Sequence, residues 1–563
     1  MKIVIIGGVA GGASAAARLR RLDEEIDIVM FEKSPFISYA NCGLPYYIGG
    51  VITDRNELII QTPEQFEKRF NVRVKINHEV IEIDRYHRHV LVKNVLTDEV
   101  HREDYDKLIL APGAKPLIPQ LPGVESPLIF TLRNVPDTFK ITEFIEQEKP
   151  KRALIVGAGY IGLEMAENLM HRGLEVTIVE MMNHVIASLD EDMAFDVHHY
   201  IRHKGATLLL NHAVSAFKTT DKVITATIGE ANLDFDMVIM SVGVLPDTKL
   251  AQEAGLIVNA RNALVVNDYL QTNDPDIYAV GDAILVKQFT TRQEAYIPLA
   301  GPANRQGRLV ADNVLGANKK YHGSQGTAVL KFFDLVVATT GLNEVSARKS
   351  GYVIDKVFEL GKSHASYYPG ATPLMLKLIF ERGTGMLLGA QAVGFEGVDK
   401  RIDVLATAMR ARMNARELID IDLAYAPPIG SSKDAVNMLG YLAENVLDGV
   451  VKQYYVEEIA NLPHDGSLIY LDVREQEVFK AGHFPDSINI PIAQLRDRIT
   501  ELEQGKKVYI VCDGGMRSYL AARMLKQNGF DAYSLAGGFR LFKEIQRDKE
   551  EISKIDALCG KRT

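Results

Sequence analysis

The chain reads as an α/β protein of several domains, with strand–turn–helix units toward both ends. Three observations predict this. Short apolar strands recur that run into glycine-rich turns and then into alanine- or leucine-rich helices, the pattern of parallel strand–turn–helix units. Two such units lie about 150 residues apart in the N-terminal half. A further α/β pattern starts beyond a helical stretch ending near Asn445-Val446-Leu447-Asp448-Gly449. At 563 residues the length suits roughly three to four domains of about 150 residues each.

Composition excludes several classes. With 47% hydrophobic and 24% charged residues the chain is of ordinary globular type. A net charge of -9 argues against nonspecific nucleic-acid binding. The apolar run Ile3-Val4-Ile5-Ile6 is too short for a signal peptide, and no stretch approaches the ~18–20 apolar residues of a membrane span. A cytoplasmic location without membrane partners is expected, where thiols stay reduced. Only three cysteines occur, Cys42, Cys512 and Cys559, so this is no disulfide scaffold and placed cysteines are candidates for chemistry. Cys559, in a polar tail, is read as incidental.

In the first unit the strand Ile3-Val4-Ile5-Ile6 meets Gly7-Gly8-Val9-Ala10-Gly11-Gly12 and then a helix from Ala13. The next apolar strand, Ile28-Val29-Met30-Phe31, ends at Glu32. Glycines of this kind let the backbone approach a pyrophosphate at a helix N-terminus, and the acid accepts from ribose hydroxyls. Val9 stands where a middle glycine is usual, so alone this motif fits a ligand-free turn equally well. The second unit is complete: Ala153-Leu154-Ile155-Val156, Gly157-Ala158-Gly159-Tyr160-Ile161-Gly162, then Val176-Thr177-Ile178-Val179 ending at Glu180. Two such units suggest one flavin and one nicotinamide site. No arginine follows Glu180 in Met181-Met182-Asn183 to receive a 2′-phosphate, which favours NADH, with NADPH left open.

Three further segments strengthen the reading: Leu108-Ile109-Leu110-Ala111-Pro112-Gly113-Ala114, Val238-Ile239-Met240-Ser241-Val242-Gly243, and Ile277-Tyr278-Ala279-Val280-Gly281-Asp282. With them, residues 1 to about 450 resemble the two-dinucleotide flavoprotein disulfide reductases. The resemblance implies two Rossmann-like domains, with FAD held by residues 1–115 and 245–324 and NAD(H) by 116–244. It further implies an α+β dimerisation domain over 325–450 and a homodimer. It assigns the cofactors to Gly7, Gly8, Ala10, Gly11, Gly12, Glu32, Lys33, Ala111, Gly113, Gly243, Gly281, Asp282 and Ala300, and to Gly157, Gly159, Tyr160, Ile161, Gly162 and Glu180. Asp282 takes the flavin ribityl and pyrophosphate role.

No second cysteine lies near Cys42 in sequence, so it must cycle as a mixed disulfide, a persulfide or a sulfenic acid. Asn41-Cys42-Gly43-Leu44-Pro45-Tyr46 resembles the coenzyme A-disulfide reductases. Peroxide-reducing relatives carry a histidine in the first glycine loop, where this chain has Ala10. Ser366-Tyr367-Tyr368-Pro369-Gly370 and Ala424-Tyr425-Ala426-Pro427-Pro428 resemble segments that present two tyrosines to the partner subunit, which makes Tyr367 and Tyr425 candidates for positioning and protonating sulfur. By the same resemblance Ser14, Arg18, Arg21, Ser38, Asn41, Asn304 and Lys433 contact coenzyme A. Arg20 is read as part of a solvated helix end. The chain departs at Phe70, where relatives place a lysine for the nucleotide.

The last module carries Leu468-Ile469-Tyr470-Leu471-Asp472-Val473-Arg474, Gly482-His483-Phe484-Pro485 and Leu535-Ala536-Gly537-Gly538-Phe539, which together resemble an α/β rhodanese domain over residues 455–553. Its loop Cys512-Asp513-Gly514-Gly515-Met516-Arg517-Ser518 runs from strand to helix, so backbone N–H groups and Arg517 are expected to favour an anionic sulfur at Cys512. The six-residue span from Cys512 to Arg517 is that of sulfurtransferases, one shorter than in related phosphatases. His198, His199 and His203 are read as a solvated helix face with no metal set. The whole resembles a coenzyme A-disulfide reductase–rhodanese fusion of the persulfide or polysulfide reductase type. The alternatives are an NADH oxidase or peroxidase working through a sulfenic acid, and a sulfurtransferase with a regulatory flavoprotein part.

Overall fold

Strands that are apolar on both faces must be covered by helices on both sides. Lys2–Ile6, Asp27–Glu32 and Lys107–Leu110 have this character and are buried. In the computed structural model, which describes residues 1–558, they form a five-stranded parallel sheet ordered Ile277–Ala279, Lys107–Leu110, Lys2–Ile6, Asp27–Glu32, Arg73–Ile76. The helix Ala10–Leu22 lies so close to Ala300–Val314 that a Cβ on Gly307 would meet the Gly11 carbonyl oxygen at 2.3 Å. A second parallel sheet runs Thr207–Leu209, Glu175–Val179, Arg152–Val156, Met237–Met240, Ile129–Phe130.

By contacts the chain divides into two compact units, residues 1–181 with 205–326, and 182–204 with the segment from 327 onward. The helix Glu191–His203, though it connects two strands of the second parallel sheet, belongs to the second unit. That unit opens with an antiparallel sheet ordered Ala328–Phe332, Leu335–Gly341, Leu387–Gly394, Pro373–Glu381, Ile354–Lys362. The helices Val398–Arg410 and Ala435–Leu447 pack on it through Leu376, Leu378, Phe380, Ile402, Leu405 and Leu439. A last parallel sheet follows, ordered Lys452–Tyr454, Asp531–Leu535, Lys507–Val511, Leu468–Asp472, Ile488–Asn489. Its core joins Leu471, Val508, Ile510 and Cys512. No described helix is long and apolar enough to cross a membrane.

Two surface expectations are overturned. Arg20 is not a solvated helix end: it is 4% exposed. Its guanidinium donates to the carbonyls of Asp23, Glu24, Ile26, Phe70 and Asn71, stapling two loops together. Of the three histidines read as a solvated face, His203 is exposed but His198 and His199 are not. His198 is 1% exposed, with Nδ1 2.7 Å from Asp548 and Nε2 accepting from the Val185 amide at 3.2 Å. Burial, the largest influence, lowers its pKa, and the Asp548 carboxylate opposes this only in part. Asp548 and Glu551 also gather around His199, so carboxylates do approach the histidines, and Arg202 bonds both of them. The helix Gly538–Leu558 supplies these acids from more than 300 residues away, a pairing no local pattern announces. Cys559 lies outside the described residues.

Candidate active site

The glycine turns are built for close approach. Gly7 and Gly157 have φ of +98° and +100°, where L side chains are strained. A Cβ on Gly7 would meet the Ala111 carbonyl oxygen at 2.2 Å, and one on Gly12 or Gly162 would meet the carbonyl oxygen of Gly7 or Gly157 at 1.8 or 2.0 Å. Those glycines serve packing. Gly159 is different, because nothing lies within 4 Å of its Cβ position, leaving the backbone open to a ligand. The acids close the same arrangement in both units: the Gly8 amide donates to Glu32 at 3.0 Å, and the Ala158 amide donates to Glu180 at 2.8 Å. Ala10 and Tyr160 begin their helices, Ile161 follows Tyr160, and Ala300 begins the helix Ala300–Val314.

The remaining cofactor candidates gather at the strand ends. Gly11 sits against Val280, Gly113 has φ of +72°, and the Gly243 carbonyl accepts from the Leu117 amide. Gly281 donates its amide to Gln306 at 2.7 Å, and the Asp282 carbonyl accepts from Tyr296. The Asp282 carboxylate makes no hydrogen bond or ion pair among the described residues, and burial pushes its pKa up while Arg133 partly offsets this. An orphaned, half-buried carboxylate beside a glycine cradle fits the polar stem of a dinucleotide cofactor. Lys33 pairs loosely with Asp247 at 3.5 Å.

Cys42 lies in the single turn Asn41–Gly43, at the N-terminal end of the short helix Leu44–Ile48. The loop before it is pinned by the Ser38 amide donating to the Gly8 carbonyl and the Ala40 amide donating to the Leu58 carbonyl. Ser38 takes φ of +46° to make this turn. Leu44–Ile48 packs against Tyr160–His171, and Arg172 donates to the Ile48 carbonyl at 2.6 Å. The thiol is exposed. Partial burial, then the Glu164 and Asp282 carboxylates, push its pKa above the ordinary value. No cation is among the influences on it, so the protein's own side chains do not make it a low-pKa thiol.

Sequence reasoning missed Glu164 and Tyr46. The Tyr46 hydroxyl lies 3.5 Å from Glu164, and burial lifts the Glu164 carboxyl to about 7 against the lowering effect of Tyr46. A signal existed, since Glu164 stands four residues beyond Tyr160 on one helix face. Among the substrate candidates, Ser14 donates to Asn304 at 2.9 Å, placing both at one spot. Arg18 is already engaged by Asp312 at 2.8 Å, and Lys319 shares that acid at 2.7 Å. Arg21 and Asn41 are exposed. Phe70 packs its ring against Phe66 and the sheet core, with the Arg69 guanidinium 5.3 Å from the ring centre.

In the second unit Tyr367 and Tyr425 meet hydroxyl to hydroxyl at 2.6 Å, though both are exposed, Tyr367 at 75%. Their shared hydrogen bond raises the Tyr425 pKa. Lys433 is exposed on the loop before Ala435–Leu447. Cys512 is 1% exposed; its sulfur accepts from the Gly515 amide at 3.0 Å and lies 3.3 Å from the Ser518 hydroxyl. Ser534 donates to Ser518 at 2.8 Å, and Ser518 donates to the Gly515 carbonyl, so two serines brace the loop. Arg517 follows in the first turn of Met516–Gln527, half-buried and without an ion pair among the described residues. Elsewhere in the unit the carboxylates of Asp190, Asp192 and Glu344 converge, but the ammoniums of Lys356 and Lys377 fill that cluster. Burial alone would lower the pKa of Lys377, yet Asp192, Asp190 and Glu344 hold it raised.

The family model described as pyridine nucleotide-disulphide oxidoreductase matches residues 1–307, more than half of the chain. The chain belongs to this family. Models for the family's dimerisation domain and for a rhodanese-like domain match residues 327–435 and 455–545. The coenzyme A disulfide reductase of Staphylococcus epidermidis is 40% identical over 445 residues, 79% of this chain and 100% of that protein. The crystal structure of reduced Bacillus anthracis CoADR-RHD superposes with a TM-score of 0.95 at 48% identity, covering 97% of this chain and 98% of the other. A NAD-dependent persulfide reductase from A. fulgidus gives 0.89 at 36%, covering 96% and 100%. This oxidoreductase thus carries two nucleotide-binding units, a dimerisation domain and a rhodanese domain in one polypeptide.

Proposed function

We propose that this chain is an FAD-dependent, NADH-driven reductase of coenzyme A persulfide, polysulfide and coenzyme A disulfide, with the rhodanese domain handling sulfane sulfur at Cys512. The observation that carries it is the pairing, in one chain, of an exposed lone Cys42 beside the glycine cradles with a buried Cys512 held in a sulfur loop. The relatives named a coenzyme A disulfide reductase and a persulfide reductase support the substrate class. Bound flavin supplies the electron transfer between nicotinamide and sulfur. The chain's residues do the rest: the Cys42 thiolate attacks the outer substrate sulfur, and Tyr425 or Tyr367 protonates the leaving thiolate. Ser14, Arg18, Arg21, Ser38, Asn41, Asn304 and Lys433 are proposed to hold coenzyme A, with Arg18 weakened by its pairing to Asp312. The cytoplasm is the proposed location. Steady-state NADH consumption with coenzyme A persulfide, coenzyme A disulfide, polysulfide and peroxide as competing substrates tests the reading. Peroxide as the best substrate overturns it in favour of an oxidase or peroxidase.

Glu180 sets the expected nucleotide preference. Its carboxylate, oriented by the Ala158 amide, would face a 2′-phosphate with like charge, and Met181 and Met182 offer no cation. Such juxtaposition costs enough to favour NADH over NADPH by roughly tenfold or more in kcat/KM. A clear preference for NADPH refutes this role of Glu180.

A homodimer through residues 325–450 is proposed, with Tyr367 and Tyr425 completing the partner's site. Their exposure and mutual hydrogen bond suit a pair awaiting a partner surface. When Cys42→Ser and Tyr425→Phe proteins exchange subunits, one site in the mixed dimer carries both lesions and the other none. Activity should partly return. Verified exchange without recovery places each tyrosine beside its own chain's cysteine.

A further inference from the structure

A cavity of about 630 Å³ lies within the second unit, and the proposed chemistry makes no use of it. Its walls come from the helix Glu191–His203, the antiparallel sheet and the C-terminal helix Gly538–Leu558. The volume is that of a small-molecule site, where about 300–1,000 Å³ is usual. Most charges around it are satisfied by one another. Arg202 bonds Asp548 and Glu551 at 2.6 and 3.0 Å, Arg547 bonds Glu551 at 3.3 Å, and Glu544 faces His199 at 3.6 Å.

Two are not. The Asp196 carboxylate makes no hydrogen bond or ion pair among the described residues, and neither does the Arg540 guanidinium. They feel each other without touching. Burial lifts the Asp196 carboxyl to about 6, Arg540 and His199 pull it down, and Glu544 adds to the rise. Arg540 is exposed, so its guanidinium stays solvated and free to bind an anion, whereas Asp196 is largely buried. Leaving that carboxylate without a partner in a partly desolvated cavity is costly, and a ligand cation would offset it. Part of the lining is apolar, with Phe195, Leu360, Met375 and Phe395.

We propose that this cavity binds a small zwitterion of the amino-acid or short-peptide class, its ammonium on Asp196, its carboxylate on Arg540, and its apolar or sulfur-bearing side chain against Met375 and Phe395. An arginine fork suits a carboxylate through paired N–H donors. The position also bears on sulfur chemistry. The helix that lines the cavity holds the Cys512 loop with its first turn, the Phe539 amide donating to the Cys512 carbonyl at 2.7 Å and the Arg540 amide to the Asp513 carbonyl at 3.1 Å. Arg540 therefore belongs both to the cavity and to the support of the sulfur loop.

Calorimetric titration of the full-length protein tests this with two probes that have no free thiol to exchange with Cys512. S-methylglutathione represents the peptide source and L-methionine the free amino acid. At least one should bind saturably, one per chain, and whichever binds identifies the source. Asp196→Asn and Arg540→Gln should each weaken binding at least tenfold, while Asp196→Glu retains it and NADH-driven reduction of coenzyme A disulfide is unchanged in all three. 3-(Methylthio)propanoate, which lacks the ammonium, should bind at least tenfold more weakly than L-methionine if L-methionine is the ligand. Absence of binding by both probes, or binding that survives Asp196→Asn and Arg540→Gln unchanged, overturns the proposal.

Discussion

A Cys42→Ser protein is expected to bind its flavin, to be reduced by NADH, and to lose turnover of every disulfide and persulfide by roughly three orders of magnitude or more. The reason lies in the count and placement of thiols. Cys42 is exposed in a turn pinned to the first glycine loop, and Cys512, the other described cysteine, is buried in a different domain. No second cysteine lies near Cys42 in sequence to share or inherit its chemistry. Serine fits the same turn without strain, because Asn41–Gly43 is a single turn with no cap that depends on the sulfur. The glycine cradles, Glu32, Glu180 and Asp282 are untouched, so flavin absorbance and its bleaching by NADH separate a loss of sulfur chemistry from a loss of folding. Substantial residual reductase turnover means that electrons leave by another route.

The second large effect is expected at Cys512. Cys512→Ser should abolish sulfur transfer from thiosulfate or a persulfide donor, yet spare reduction of preformed coenzyme A disulfide and coenzyme A persulfide. The sulfur is the acceptor for the Gly515 amide at 3.0 Å, in a loop whose shape is kept by the Ser518 and Ser534 hydroxyls and by the Phe539 amide. A hydroxyl in that position keeps the loop but cannot carry a sulfane sulfur. On the proposed mechanism the reductive step draws on Cys42 alone. Both activities measured on one preparation decide the matter. If Cys512→Ser eliminates reduction of every substrate while NADH still bleaches the flavin, the relay between the two sulfurs is obligatory and the picture of two separable sites is wrong.

The parts of the site that were legible in advance are those written in short stretches of chain. Gly157-Ala158-Gly159-Tyr160-Ile161-Gly162 and the acid ending the next strand are a local grammar, because strand, tight turn and helix N-terminus follow one another directly and the chemistry uses their backbone. The same holds for the six-residue loop from Cys512 to Arg517. Residues facing across the fold were not legible. Tyr46 meets Glu164 only because Leu44–Ile48 docks on Tyr160–His171.

Patterning also misled where burial and charge compete. In Arg18-Leu19-Arg20-Arg21 the sequence reads Arg20 as a solvated helix end, with Arg18 and Arg21 toward coenzyme A, since arginines are seldom buried. The structure separates them: Arg20 turns inward to five carbonyls, Arg18 meets Asp312, and Arg21 alone stays exposed. His198 and His199 were misread for the same reason, because their partners Asp548 and Glu551 come from a helix at the far end of the chain.

From its amino acids alone, this protein was bound to two glycine-turn nucleotide units, a lone cysteine beside the first and a sulfur loop near the C-terminus. Those follow from nearest-neighbour rules of strand, turn and helix. The state of each charged group was settled only by folding. Whether a lysine sits at 0% exposure among three carboxylates, as Lys377 does, or a carboxylate such as Asp196 is left facing a cavity without a partner, depends on which distant elements desolvate it. Desolvation and Coulomb attraction both act through space at a few ångströms, and sequence separation carries no information about them.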